Sequence, residues 1–378
     1  MTERGAVAVG AGQGNAWKKV LLTTAQVGIT LTVLFLVFRD PVKRAEMLKV
    51  LGGANRWGLL AGFAVYGVVE VIAGLRWHLL LRVQGIVLAR GRLVALLLIG
   101  LFFNFFIPGG TGGDVVKIFY LLKETPGQRA PALLSVFVDR LIGIIALTFI
   151  AGFFAVTRWH WLVGSPETAR YVWPVLIALG SSLGGLHFTY IITRHNLIHR
   201  LPARMPGRDK LAELAVAYNL YGKAWRTTLA TFFLSLAAHV GYFAVFFCAA
   251  ESFHLAGTRI PTLGELCAIL PIVNTITAMP ISLGGIGVRE GLFEIFLGQL
   301  CQVSAAVAVM ISSVGYLLTL GWGLIGGVIY MFYRPSEHAR LREIKAQVRA
   351  FEHSVAEEEI AHEAAAQIRN PKSEIRNG

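Results

Sequence analysis

Two short stretches decide the reading of this chain: Pro108-Gly109-Gly110-Thr111-Gly112-Gly113, and Pro280-Ile281-Ser282-Leu283-Gly284-Gly285 continuing into Ile286-Gly287-Val288-Arg289-Glu290. Each interrupts an apolar segment, at about 93–122 and 263–299. Proline removes a backbone donor and glycine costs about 1 kcal/mol in a helix interior, so neither segment is expected to run as one helix. Shifted by 172 residues, the two coincide: Pro108 falls on Pro280, Gly112-Gly113 on Gly284-Gly285, and Lys117 on Arg289. The same offset lays 57–81 on 227–250, and 129–156 on the apolar stretch that begins at Cys301. The correspondence therefore extends over whole helix–hairpin–helix units, about 57–156 and 227–332.

The surrounding sequence is that of a protein dissolved in lipid. Of 378 residues, 55% are hydrophobic and only 15% charged, with a formal net charge of +13 and a mean hydropathy of +0.61. A soluble domain carries about 25% charged residues. The polar stretch 334–378 balances its Lys/Arg against its Glu, so the excess positive charge lies among the apolar segments. There it reads as cationic ends orienting membrane spans and not as a nucleic-acid surface. Six segments are long enough to cross: 20–38, 57–81, 131–156, 171–193, 227–250 and 304–332. The first follows Lys18-Lys19 and has no A-x-A cleavage site after it, so it reads as a retained span. The expected organisation is a cytoplasmic segment 1–19, a transmembrane domain 20–333 and a polar cytoplasmic tail 334–378.

Orientation follows from Lys and Arg. If each broken segment is a re-entrant hairpin and the N-terminus is cytoplasmic, then Arg82, Arg90, Arg92, Lys117, Lys123, Arg129 and the basic stretch 194–226 lie inside, with both termini. Single crossings would move 194–226 outside, against the positive-inside tendency, so hairpins are preferred. The loop 39–56, with Arg39, Lys43, Arg44, Lys49 and Arg56, is the exception to this arrangement. The first unit then enters from outside and the second from inside, as an inverted-topology repeat. The expected fold is all-α and polytopic, with six full spans and two Pro/Gly-broken hairpins meeting near the midplane around a substrate site. A duplication without transport is the plainer alternative.

Ionisable groups inside spans cost roughly 2.5–3.5 kcal/mol each at a helix centre, so each is a functional candidate. They are Glu70, Arg76, Asp114, Lys117, Asp139, Arg140, Arg289, Glu290 and Glu294. Neighbouring opposite charges, Asp139-Arg140 and Arg289-Glu290, do not share a helix face, so each is expected to pair with another element. Lys117, Arg140 and Arg289 could hold a lipid phosphate beside the exposed amides of the breaks, or close the bundle as ion pairs. Arg76-Trp77 reads first as an interfacial anchor. Asn104 and Asn274 either cap the broken backbone or touch a headgroup.

The remaining motifs are weak. His195 and His199 have metal-ligand spacing without a third ligand, and Gly222-Lys223-Ala224 lacks the hydroxyl of a P-loop, so neither a metal nor another cofactor is expected. Cys248, Cys267 and Cys301 read as buried hydrophobes. Leu211, Leu214, Tyr218 and Tyr221 form the apolar stripe of an interfacial helix. Leu341, Ile344, Val348, Phe351 and Val355 mark a short surface helix, and 370–378 is polar enough to be disordered.

At Arg76-Trp77, Asn104, Pro108, Gly113-Asp114, Asp139-Arg140 and above all the run from Pro280 to Glu290, the sequence resembles the family of lysylphosphatidylglycerol synthase transmembrane regions, also called flippase-like domains. The resemblance spans about 20–333. In that family Glu often stands where Asp114 and Asp139 stand here, and Arg where Lys117 does. It implies movement of a lipid across the plasma membrane, and members that also synthesise the lipid carry a catalytic domain for which 45 residues after the last span leave no room. The expected function is translocation of an anionic or headgroup-modified phospholipid or lipid-linked precursor. The residues expected to bind it are Asn104, Pro108, Gly112, Gly113, Asp114, Lys117, Asp139, Arg140, Asn274, Pro280, Gly284, Gly285, Arg289 and Glu290. The rival readings are a membrane enzyme acting on a lipid-linked headgroup, with Asp114, Asp139 or Glu290 as base, and an accessory protein that recruits an envelope-lipid biosynthetic enzyme.

Overall fold

A computed structural model describes residues 24, 27–28, 30–32, 35–36, 38–106, 112–125, 128–194, 219–253, 259–279 and 281–333, with only the backbone given for 106 and 185–194. Pro108, Pro280, His195, His199, most of the 211–221 stripe and the whole tail lie outside these residues. The described positions between 24 and 38 are helical. Eleven further α-helices follow among the described residues: α1 (Pro41–Gly52), α2 (Arg56–Val83), α3 (Arg90–Phe106), α4 (Gly112–Glu124), α5 (Arg129–Thr157), α6 (Trp159–Leu162), α7 (Pro166–Arg194), α8 (Trp225–Ser252), α9 (Leu263–Thr277), α10 (Val288–Cys301) and α11 (Ala305–Phe332), with a 3₁₀ turn at Leu283–Gly285. There is no strand among the described residues.

Local sequence sets the helix starts. Asp40 accepts the amides of Val42 and Lys43 ahead of Pro41, Asn55 accepts that of Trp57, and Thr262 with Glu265 forms a reciprocal capping box at α9. Each side-chain oxygen satisfies an amide that the first turn leaves open. Four helices, α2, α5, α8 and α11, are long and apolar enough to cross a membrane, and these coincide with four of the six expected spans. At 28 or 29 residues each is about 42 Å long, more than the roughly 30 Å of hydrocarbon it must cover. The fourth expected span in chain order, 171–193, lies within the 29-residue α7, which carries Pro174 in its interior.

Contacts at the helix ends sort the bundle into two faces. At one, the Tyr221 hydroxyl donates to the Leu80 carbonyl at 3.3 Å, Arg92 pairs with Glu124, and the Tyr333 hydroxyl donates to Glu124 at 2.8 Å. The end of α2, the approach to α8, both outer ends of α3 and α4, and the end of α11 thus lie together. At the other, the Asn55 amide donates to the Ser252 carbonyl at 2.8 Å, the Trp161 indole to the Leu300 carbonyl at 3.2 Å, and the Ser304 hydroxyl to Glu46 at 2.8 Å. Hence α2 and α8 run antiparallel, and they pack on each other along their length.

The two broken segments reverse direction. Gly113 packs against Gly100 and Asn104, Lys117 against Gly100, and Glu124 reaches Arg92, so α4 returns along α3. In α9 and α10, Gly285 packs against Thr277 near the break, while Cys301 comes near Glu265 at the outer ends. The first arm of each hairpin also packs on the long helix of the other half: α3 on α11, and α9 on α5. Gly326 meets the Leu98 carbonyl, while Gly323 and Gly327 meet Phe105 and Phe102, the small-residue approach that lets membrane helices pack backbone to backbone. The largest apolar core joins α8 through α11, with Phe243, Phe246, Phe293 and Phe296 fully buried.

Candidate functional site

The site is built where the end of α3 faces the second break. A cavity of about 140 Å³ is lined by Asn104 and Phe105 at the end of α3, by Thr277, Ala278 and Met279 at the end of α9, and by Ser282, Gly284 and Gly285 of the second break, with Tyr316 of α11 closing one side. The end of α3, just before the first glycine-rich motif, and residues of the second motif thus line one small space. The backbone there requires glycine. Gly284 and Gly285 have φ of 57° and 75°, and a Cβ would meet the Tyr316 hydroxyl at 2.8 Å in the first case and Thr277 at 2.8 Å in the second. Left-handed φ and close approach both exclude a side chain.

Around the second break, Glu290 ties the start of α10 together. Its carboxylate accepts the Gly287 amide at 2.6 Å and the Ser312 hydroxyl of α11 at 3.0 Å. Arg289 is buried, lies over the Tyr316 ring at 3.8 Å, and reaches the Gly284 carbonyl at 3.4 Å. Contrary to the expectation that these neighbours separate, Arg289 Nε comes within 3.8 Å of Glu290. The first turn of α10 is tight enough to hold both side chains beside α11. Arg289 Nε and the cavity-lining Ser282 hydroxyl are buried with no hydrogen-bond partner among the described residues. The Leu283 amide donates to Thr30 at 3.0 Å, so the N-terminal helix also supports the break.

Around the first break, Asn104 accepts the Gly113 amide at 3.0 Å, which is the capping role, and it lines the cavity as well. Asp139 lies at the centre of a charged cluster. Arg76 donates to both its oxygens, at 2.8 and 3.0 Å, and to the Ser235 hydroxyl at 3.0 Å. Lys117 Nζ is 3.8 Å from Asp139 and 3.7 Å from the Trp77 ring centroid. Arg140 pairs with Asp114 at the half-exposed edge of the cluster. As expected, each pairs with another element: Asp139 with α2 and α4, and Arg140 with α4.

The structure therefore gathers the candidates into two groups. Asn104, Gly284 and Gly285 line the cavity; Arg289 and Glu290 stand behind it on α10; Gly113, Asp114, Lys117, Asp139 and Arg140 form the cluster beside the first hairpin. Gly112 is buried at the start of α4, and Asn274 supplies its carbonyl to the Ala278 amide at 2.9 Å. Sequence reasoning missed two contributors and weighed a third the other way. Tyr316 forms both cavity wall and cation platform, and Ser235 completes the Arg76 fork; nothing in the sequence marks either. Arg76, a candidate read first as an interfacial anchor, turns inward to Asp139.

These features define a class: a polytopic α-helical membrane protein in which two glycine-interrupted helix pairs bring the end of α3 against the second break. The family model described as the lysylphosphatidylglycerol synthase TM region matches residues 23–327, and the chain belongs to that family. Among curated proteins it is similar to a UPF0104 membrane protein of Methanothermobacter thermautotrophicus, 24% identical over 311 residues that cover 75% of this chain and 87% of the relative. UPF0104 membrane proteins of Methanocaldococcus jannaschii and Pyrococcus horikoshii are 25% and 28% identical over 150 and 130 residues, covering 38% and 34% of this chain and 45% and 37% of the relatives.

Proposed function

We propose that this protein is a lipid translocase of the plasma membrane, passing an anionic or headgroup-modified phospholipid, or a lipid-linked precursor, between leaflets. The observation that carries the reading is the cavity between the end of α3 and the second break, near which Ser282 Oγ and Arg289 Nε have no hydrogen-bond partner among the described residues. A buried donor without a partner costs about 1–3 kcal/mol, which an anionic oxygen would recover. At about 140 Å³ the cavity is smaller than the roughly 300–1,000 Å³ of a typical ligand pocket. It fits part of a headgroup, with the acyl chains left in lipid.

The inverted repeat supplies the alternating access. Its support is the opposite placement of the hairpins' outer ends, the antiparallel pairing of the corresponding helices α2 and α8, and the reciprocal packing of α3 on α11 and α9 on α5. The arms of α3, α4, α9 and α10 hold 17, 13, 15 and 14 residues, about 20–26 Å each, which suits arms that stop short of full crossings. We place the α2–α3 turn and both termini in the cytoplasm. Lys117, Arg140 and Arg289 attract the headgroup phosphate, while Asp114, Asp139 and Glu290 hold those cations in position. The protein transports without covalent chemistry, needs no cofactor, and serves an envelope-lipid pathway.

The test is leaflet-resolved movement of NBD-labelled phosphatidylglycerol in vesicles containing the folded protein. Acceleration over protein-free vesicles, reduced at least tenfold by Arg289→Ala, is the expected result. No acceleration for this probe or for extracted envelope lipids would overturn the reading.

A further inference from the structure

Glu70 belongs to neither group of charges. It sits near the middle of the 28-residue α2 and lines a second cavity, of about 220 Å³, between α2 and α3. The walls are Val71, Leu75, Leu93, Val94, Leu97 and Trp322. Val71, Leu75 and Val94 are exposed on the lipid-facing surface, so the groove opens to the hydrocarbon. Tyr66, one turn earlier, stands beside the Glu70 carboxylate, and Lys117 of α4 and Arg76 of α2 act on it through space. His78 of α2 and Arg90 of α3 line the groove toward the α2–α3 turn. Trp322 of α11 gives its N–H to the Phe63 carbonyl, at 2.9 Å. Among the described residues, no Lys or Arg stands within ion-pair distance of Glu70.

An ionised carboxylate against apolar walls at this depth is costly, and a proton removes the charge. We infer that Glu70 is a proton-binding site of the membrane interior, reached along the α2–α3 groove from the end marked by His78 and Arg90. Protonated, it rests against the apolar wall. Ionised, it competes with Asp139 for Lys117 and Arg76 and so pulls on the cluster that joins α2, α4 and α5. The proton is taken from water at the His78 end and returned there or to the opposite face. This deepens the translocase reading, on which the use of the proton rests, by giving lipid movement an ion to couple to.

The test uses the full chain in vesicles of phosphatidylglycerol and phosphatidylethanolamine, treated with dicyclohexylcarbodiimide. The O–H of a protonated carboxyl adds across a C=N bond of the reagent, and the O-acylisourea rearranges to a stable N-acylurea with no leaving group. Expected are an adduct mapped to Glu70 by mass spectrometry, labelling that increases as pH falls, and no adduct at that position in Glu70→Gln protein of unchanged thermal stability. A water-soluble carbodiimide should modify surface acids such as Glu167 and spare Glu70. An unmodified Glu70, or labelling indifferent to pH, overturns the site. NBD-phosphatidylglycerol movement separates the two readings. Wild-type movement that depends on pH, and that loses this dependence in Glu70→Gln, supports coupling; movement indifferent to pH overturns coupling and leaves the translocase intact. No movement with pH-dependent labelling keeps the proton site and removes the translocase.

Discussion

Asp139 and Arg140 are adjacent, opposite in charge and equivalent to any count of residues, yet their surroundings separate them. Asp139 is buried between Arg76 and Lys117, whereas the Arg140 side chain is 48% exposed and pairs among the described residues with Asp114 alone. Removing one member of a buried, multiply bonded ion pair costs about 3–5 kcal/mol because the partners stay buried and uncompensated, while an exposed pair is worth about 0–1 kcal/mol. Asp139→Ala should therefore lower the thermal midpoint in detergent by several degrees, and Arg140→Ala should shift it little, both followed by intrinsic fluorescence. Equal losses would contradict the arrangement. The difference was not legible in the sequence, which gives the presence of a charge within a span but not which way it faces. Arg76 shows the same limit: its place near a helix end fits an interfacial anchor, and only the position of α5 turns it toward Asp139.

At the scale of elements, the breaks were the most legible part, since proline and clustered glycine act locally and need no knowledge of neighbours. What those glycines touch depends on helices distant in sequence. A Cβ on Gly113 would meet the Gly100 carbonyl and the Asn104 side chain, while one on Gly291, in α10, would meet nothing within 4 Å. Gly113→Ala should push α4 off α3, costing about 1–3 kcal/mol as overpacking does. Gly291→Ala should instead gain up to about 1 kcal/mol from helix propensity. Chemical unfolding of the two variants in matched micelles would show opposite signs. Tyr316 is the corresponding case for the site. Its ring supports Arg289 at 3.8 Å, an interaction worth about 0.5–2 kcal/mol. On the translocase reading, Tyr316→Leu should slow NBD-phosphatidylglycerol movement by between two- and thirtyfold with little change in stability; an unchanged rate would show that the ring does not position the guanidinium.

For the whole molecule, the distribution of charge between the two faces carries the orientation. Arg82, Arg90, Arg92, Lys123, Arg129, Lys223 and Arg226 lie toward the face where α2 ends, near few acids beyond Glu124. The 39–56 loop, the sequence's one departure from the positive-inside pattern, lies toward the other, and the structure gives a physical reason for tolerating it. Lys43 pairs with Glu294 of α10, Asp40 caps α1, and Glu46 accepts from Ser304. A loop charge neutralised against the bundle weighs less in setting topology than one left in water. Two positions then distinguish the faces: Gly91, in the first turn of α3 with open space around it, and Gly52, at the end of α1 and equally open. In a background whose three cysteines are replaced by alanine, Gly91→Cys should react with a membrane-impermeant maleimide only in inverted vesicles, and Gly52→Cys only in intact cells stripped of their outer layers. Labelling of both from one side would remove the antiparallel pairing of α2 with α8 as a membrane arrangement. Labelling from opposite sides in the reverse sense would keep the bundle and turn it over, placing the mouth of the first hairpin outside.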